Sequence, residues 1–357
     1  MALSDYQSYI LFSAVILMSY IFPSFDDRLT IKLWNGKSFN RLFTYLLFLI
    51  LFLVLTYRNC GVDTPTYDYS FKNNRSDSNY DILFFILLRL VRKYTSNVLV
   101  WHGVMSGVIL LGFFTTAERL KDIVDRKLFY LYLVIYLYFF SFNYTRMMMS
   151  IGVLLFAFSL LVSENYKGYI IANIIAGLIH YSSFSVFLIV LLYYLGRKHR
   201  RVLLVLGLFT AILIRVRPDI IRYLTFSEHY NTYFSNSLNT TRGIGTILLV
   251  IPYFAILYIY EKYLDKRLVT LMYILLIGNV AFSFLGYAIL VASRIARFTF
   301  AFPCIFLIPY VIKRLGTSGE YNTTTIKILS VLWAGIIYFA VVQSTFETIG
   351  IVPYITW

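Results

Sequence analysis

Apolar runs of span length, separated by short polar turns, recur along nearly the whole chain. A membrane-crossing helix needs about 20 predominantly apolar residues. On that measure the pattern predicts crossings near residues 6–23, 40–57, 97–115, 127–142, 145–163, 168–180, 181–195, 202–216, 244–260, 268–291, 296–312 and 327–345. The expected fold is an all-α polytopic membrane protein of about 12 transmembrane helices. It forms a single integral membrane domain over residues 1–357, without internal repeats or a separate soluble unit.

Three stretches depart from the simple alternation. Residues 168–195 are almost uninterruptedly apolar, yet basic turns flank both sides. Two crossings keep both flanks on one side, and each arm is then short of a full bilayer at about 1.5 Å per residue. The pattern therefore predicts a short broken hairpin whose polar tip, His180-Tyr181-Ser182-Ser183, lies below the outer surface. Irregular backbone at that depth survives where it lines a wet cavity or is buried in protein. Residues 82–93 are apolar on one face and end in Arg89, Arg92 and Lys93. They are too short to span and read as an interfacial or re-entrant helix, so residues 58–96 form an outer loop plus that helix. Residues 217–243 are the longest polar stretch and form a large outer loop.

Charge sets the orientation. Loop 24–41 carries Arg28, Lys32, Lys37 and Arg41. Basic turns recur at Arg197–Arg201, at Lys262, Lys266 and Arg267, and at Lys313 with Arg314. Such turns face the cytoplasm. Loop 58–81 is net acidic and faces out, as do both termini. The start of the chain lacks a basic n-region and a cleavage site, so its first apolar stretch is expected to be retained as a span.

Composition agrees: 59% of residues are hydrophobic, 14% are charged, and mean hydropathy is +0.73. The net charge of +15 would suggest nucleic acid in a soluble chain. Here most of it belongs to turns facing anionic lipid, and no nucleic-acid partner is expected. The remainder is informative. Arg58, Arg146, Arg215, Arg217, Arg294 and Arg297 all fall at outward helix ends, against the usual bias. Together with His180 they predict an outward-facing site for an anionic ligand.

His180 is an ionisable group in a membrane segment, where such groups tend to be functional; its bland reading is a satisfied polar group. Arg146 opens an apolar run, and its bland reading is snorkelling to headgroups. Arg294 and Arg297 are spaced i, i+3 on one helix face and suit phosphate oxygens. Asp63, in Gly61-Val62-Asp63-Thr64-Pro65-Thr66-Tyr67, sits in a turn-rich segment and can take a proton or orient Arg58 or His180. The chain has no P-loop, dinucleotide fingerprint, HExxH motif, Cys/His cluster or Asp-x-Asp pair, so no cofactor and no metal are expected. Cys60 and Cys304 have no metal-ligand spacing and are not expected to pair.

These residues resemble, in order along the chain, the Wzy-type polymerases of O-antigen and capsule repeat units, in the EpsG-like branch. The matching parts are Arg58 with Gly61-Val62-Asp63-Thr64 and Tyr67, then Arg146, then His180-Tyr181-Ser182-Ser183. Tyr230 and Tyr233, Ser293-Arg294-Ile295-Ala296-Arg297-Phe298 and Pro353-Tyr354 follow. Such proteins often carry Gln after the arginine matching Arg146; here Met147 stands there. The resemblance implies a GT-C-type glycosyltransferase architecture in the bacterial inner membrane. It implies transfer of a growing glycan from undecaprenyl pyrophosphate to a lipid-linked repeat unit at the periplasmic face, without metal or nucleotide sugar. It also implies a chain-length-determining co-polymerase as partner, besides membrane lipids.

On that reading Arg146, Arg294 and Arg297 stabilise the leaving pyrophosphate, with Arg58 or Arg217 in support. His180 or Asp63 is the base. Tyr67, Tyr181, Tyr230 and Tyr233 contact sugars. A lipid-linked oligosaccharide flippase and an O-antigen ligase, or another polyprenyl-dependent glycosyltransferase, remain the alternatives. A flippase usually shows repeated halves, which this chain lacks.

Overall fold

The computed structural model describes residues 3–26, 31–32, 38–39, 41–73, 81–187, 244–286, 290–318, 323–339 and 350–356, with Phe346 and single positions between 192 and 212. Among these the chain is helical almost throughout. The helices are α1 (Asp5–Asp26), α2 (Leu42–Thr56), α3 (Thr64–Asn73), α4 (Ile82–Tyr94), α5 (Val98–Leu120) and α6 (Arg126–Leu133). They continue with α7 (Thr145–Val162), α8 (Tyr166–Ile179), α9 (Ile244–Tyr260), α10 (Lys266–Leu285), α11 (Leu290–Ser318) and α12 (Thr323–Ile337). A two-residue antiparallel pairing of Ile31–Lys32 with Ser38–Phe39 lies between α1 and α2.

α1, α5, α7, α10 and most of α11 are long and apolar enough to cross a membrane; α2, α8 and most of α12 are apolar but shorter. The chain is a helical membrane protein. The expected crossing at 181–195 begins instead as a 3-10 turn, Tyr181–Val186. The rest of that arm, most of the 202–216 crossing and the loop 217–243 lie outside the described residues.

α7 is the central post. It packs on α5 and α8, and α5 also contacts α2. The α5–α7 contact is close because two glycines meet: a Cβ on Gly112 would stand 2.4 Å from the backbone of Gly152. Small residues let helix backbones approach where lipid supplies no hydrophobic drive for association. Ser150 adds a hydrogen bond to the Ala176 carbonyl of α8 (2.9 Å). α5 and α7 run in the same direction, since Arg119 at the end of α5 donates to Ser159 and Ser163 at the end of α7. The first residues of α7 therefore lie about 27 Å from the α5–α6 turn, from 18 residues at about 1.5 Å each.

α6 changes pitch before it ends. It widens into a π turn, Val134–Tyr138, and tightens into a 3-10 turn, Phe139–Phe142. Such departures free carbonyls that a regular helix would use. The Phe142 carbonyl is one: it accepts from Arg58 Nε at 3.2 Å. Gly61 passes so close to it that a Cβ would stand 2.4 Å away, and its φ of +99° favours glycine.

Both termini lie beside this segment. Leu3 N–H donates to the Tyr354 carbonyl (3.0 Å), Asn59 N–H to Ile355 (2.6 Å) and Gly61 N–H to Gly350 (2.6 Å). The Tyr354 hydroxyl reaches the Val54 carbonyl (2.6 Å).

Candidate functional site

A cavity of about 280 Å³ opens at the start of α7. Four segments line it. Asp63, Thr66 and Tyr67 come from the start of α3; Tyr144, Arg146 and Met147 from the start of α7; His180 from the end of α8; Arg294 from α11. Asp63 is held by its backbone: its N–H donates to Asn143 Oδ1 (2.8 Å), and its carbonyl accepts from Thr66 and Tyr67. That carbonyl starts α3, with Pro65 in the first turn, where a missing N–H costs nothing.

His180 ends α8 in an extended conformation (φ −153°), and its N–H closes on the Ala176 carbonyl at 2.9 Å. Its ring is buried against Phe298. Nδ1 lies 3.2 Å from Asp81 Oδ2, and the Tyr181 N–H donates to Asp81 Oδ1 at 3.0 Å. Arg146 Nη1 lies 3.2 Å from the same Oδ2. One carboxylate thus binds the histidine, the turn after it and an arginine. A ring nitrogen facing a carboxylate carries the proton, which leaves Nε2 as the acceptor. Nε2 has no hydrogen-bond partner among the described residues.

Asp81 occupies the position before α4 where aspartate ordinarily caps a helix, yet its side chain makes no cap bond. A cap is worth about 1 kcal/mol. Here the carboxylate is spent on His180, the Tyr181 N–H and Arg146 instead. Burial pushes the Asp81 carboxyl up, but the His180 bond, the Arg146 charge and the Tyr181 N–H outweigh it and hold it below the usual carboxylate range. Asp63 goes the other way. Burial raises its carboxyl despite the opposing charges of Arg294 and Arg146.

Residues 41–356, most of the chain, match the model of the EpsG family. The chain belongs to the EpsG family. No curated protein and no solved structure shows significant similarity to it. Membership gives this EpsG-family protein a polysaccharide-polymerase type of role, that of a glycosyltransferase-like membrane enzyme.

Within this EpsG-family fold the expected site residues separate. Asp63, Tyr67, Arg146, His180 and Arg294 share the cavity. Arg297, one turn beyond Arg294, leaves its lining and packs over Tyr144 (4.4 Å) and Phe140 (5.4 Å). Tyr144 does line the cavity, so Arg297 touches the site through that ring. Arg58 is 1% exposed and lies behind the cavity. Its guanidinium donates to the Phe142 and Leu55 carbonyls and, at 2.8 Å, to Thr145 Oγ1. Tyr181 gives the site its N–H, while its half-exposed ring stacks on Phe184. Arg217, Tyr230 and Tyr233 lie outside the described residues. Asp81 is the residue that sequence reasoning counts only as loop charge. Its signal was an acid directly before the apolar run that starts at Ile82.

Proposed function

We propose that the protein polymerises undecaprenyl-pyrophosphate-linked repeat units at the periplasmic face of the bacterial inner membrane. The observation that carries this reading is the His180–Asp81–Arg146 cluster opening on a cavity shared with Asp63 and Arg294. The acceptor hydroxyl attacks the anomeric carbon of the donor glycan. The bond from that carbon to the pyrophosphate oxygen breaks, and the hydroxyl proton passes to His180 Nε2. Asp81 is a positioning residue in this scheme: it fixes the ring and its tautomer. Arg146 and Arg294 stabilise the negative charge that grows on the leaving pyrophosphate. Arg297 steadies Tyr144, and Arg58 steadies the wall behind. Asp63, whose burial favours its protonated form, takes a hydrogen bond with an acceptor hydroxyl and is the substitute base. A lipid-linked substrate also requires entry from the membrane, which the short arm of α8 supplies.

The test is the ladder of surface glycan in a deletion strain complemented with wild type or with His180→Ala. Wild type restores the ladder, and the variant leaves a band of one repeat unit. A deletion strain that displays no repeat unit, or that accumulates polymer on its lipid carrier, overturns the reading in favour of a flippase or a ligase.

A further inference from the structure

A second charged cavity lies apart from the one described above. It measures about 630 Å³ and lies at the α5–α6 turn, the opposite end of α7. Its volume is in the range of ligand pockets. Six cations from four parts of the chain line it: Arg41 before α2, Lys121, Arg126 and Lys127 around the turn, Lys313 on α11 and Lys327 on α12. Only Asp122 and Asp125 oppose them on the wall.

The cations are of two kinds. Arg41 and Arg126 are held from behind by Glu118 and Asp26, and Lys327 by Asp125 (2.9 Å). Lys121, Lys127 and Lys313 have no acid within 4 Å among the described residues. Glu118 and Asp26 included, the group keeps an excess of positive charge. Beside Lys327, α12 exposes Ile328, Leu329, Leu332 and Ile336, an apolar row that suits acyl chains.

We propose that this cavity binds the phosphate headgroup of an anionic lipid, with the acyl chains along α12. Basic pockets between membrane helices recognise such headgroups. The cations converge on one cavity from four parts of the chain, and the apolar row follows Lys327 along α12. A soluble phosphate would use the same cations but not that row.

The test uses the purified full chain in detergent, with retained lipid measured by native mass spectrometry. Cardiolipin is the probe, phosphatidylcholine the control and inorganic phosphate the competitor. Wild type retains cardiolipin over phosphatidylcholine, and millimolar inorganic phosphate leaves it bound. The triple variant K121Q/K127Q/K313Q retains it about a hundredfold more weakly, from about fivefold per lysine. K121R/K127R/K313R keeps the affinity, which separates lost charge from lost fold. Equal retention by the glutamine triple and wild type overturns the site. So does failure of wild type to distinguish the two lipids. Complete displacement by inorganic phosphate overturns the lipid and assigns the cavity to a soluble phosphate.

Discussion

Among the described residues are two histidine–aspartate pairs, and their difference shows what makes one a site. His102 Nε2 lies 2.7 Å from Asp68 Oδ1, closer than His180 Nδ1 to Asp81 Oδ2 at 3.2 Å. By distance alone the first is the better pair. It joins α5 to α3 in a fully buried setting, with Arg58 behind. The second shares its carboxylate with Arg146 and the Tyr181 N–H, and its histidine and that arginine line the cavity. A histidine acts on a substrate through a nitrogen that the substrate can reach. The His102–Asp68 pair fastens two helices; the His180–Asp81 pair puts its histidine in a cavity wall.

The sharpest break is to remove each ring in turn. His180→Ala lowers polymerisation about 10²–10⁴-fold, the usual worth of a positioned base, and leaves the amount of folded protein near wild type. His102→Ala takes away the hydrogen-bond partner of the buried Asp68, which costs about 1–3 kcal/mol. It lowers the yield of folded protein, while ladder length per folded molecule holds. Ladder analysis beside fluorescence-detected size exclusion reads both. A folded but inactive His102→Ala would show that the comparison is drawn in the wrong place.

Asp81→Asn comes next. Asparagine keeps the shape but can donate to Nδ1, which favours the wrong tautomer, so activity falls about 10²-fold or more. Combined with His180→Ala it adds little, because two groups acting as a unit are not additive. Additive losses in the double variant would separate Asp81 from the histidine.

The arginines give a smaller contrast. Arg294→Ala costs about 10²-fold through lost charge stabilisation. Arg297→Ala, one turn beyond and off the cavity lining, costs less, and the same ladders rank the two. The reverse order would move the pyrophosphate along α11.

The smallest effect is on stability against pH. The Asp81 carboxyl is held below its ordinary value, near 3.9 unfolded. Its pairing therefore stabilises the fold above that value and is lost as pH falls through the lowered one. Asp63 is held above its ordinary value, so its ionisation opposes folding once pH rises through the raised one. Asp63→Asn thus raises the melting temperature slightly at pH 7, and the gap to wild type closes toward pH 4. An unchanged gap across that range removes the burial argument for Asp63.

His180, Arg146 and Arg294 were legible because ionisable residues stand out against apolar runs, and the polar tip at His180 marks where α8 stops; Asp63 was legible as the acid of a turn-rich segment. Asp81 was not. It stands in an acidic loop, and its partners are 99 residues away at His180 and on α7 at Arg146. No local pattern encodes that meeting. α3 was hidden for a different reason: Gly61, Asp63 and Pro65 read as a turn, and a ten-residue polar helix has no apolar stripe long enough to register. The split of Arg294 from Arg297 was also illegible, since i, i+3 spacing fixes a common face but not what packs against it.

The ties between residues 350–356 and the segments at Leu3, Asn59 and Gly61 carry a mechanical consequence. Their backbone bonds join separate stretches of chain beside Arg58, whose guanidinium holds the Phe142 carbonyl. A pull on any one stretch is shared among the others, so this part of the bundle resists being peeled apart one helix at a time.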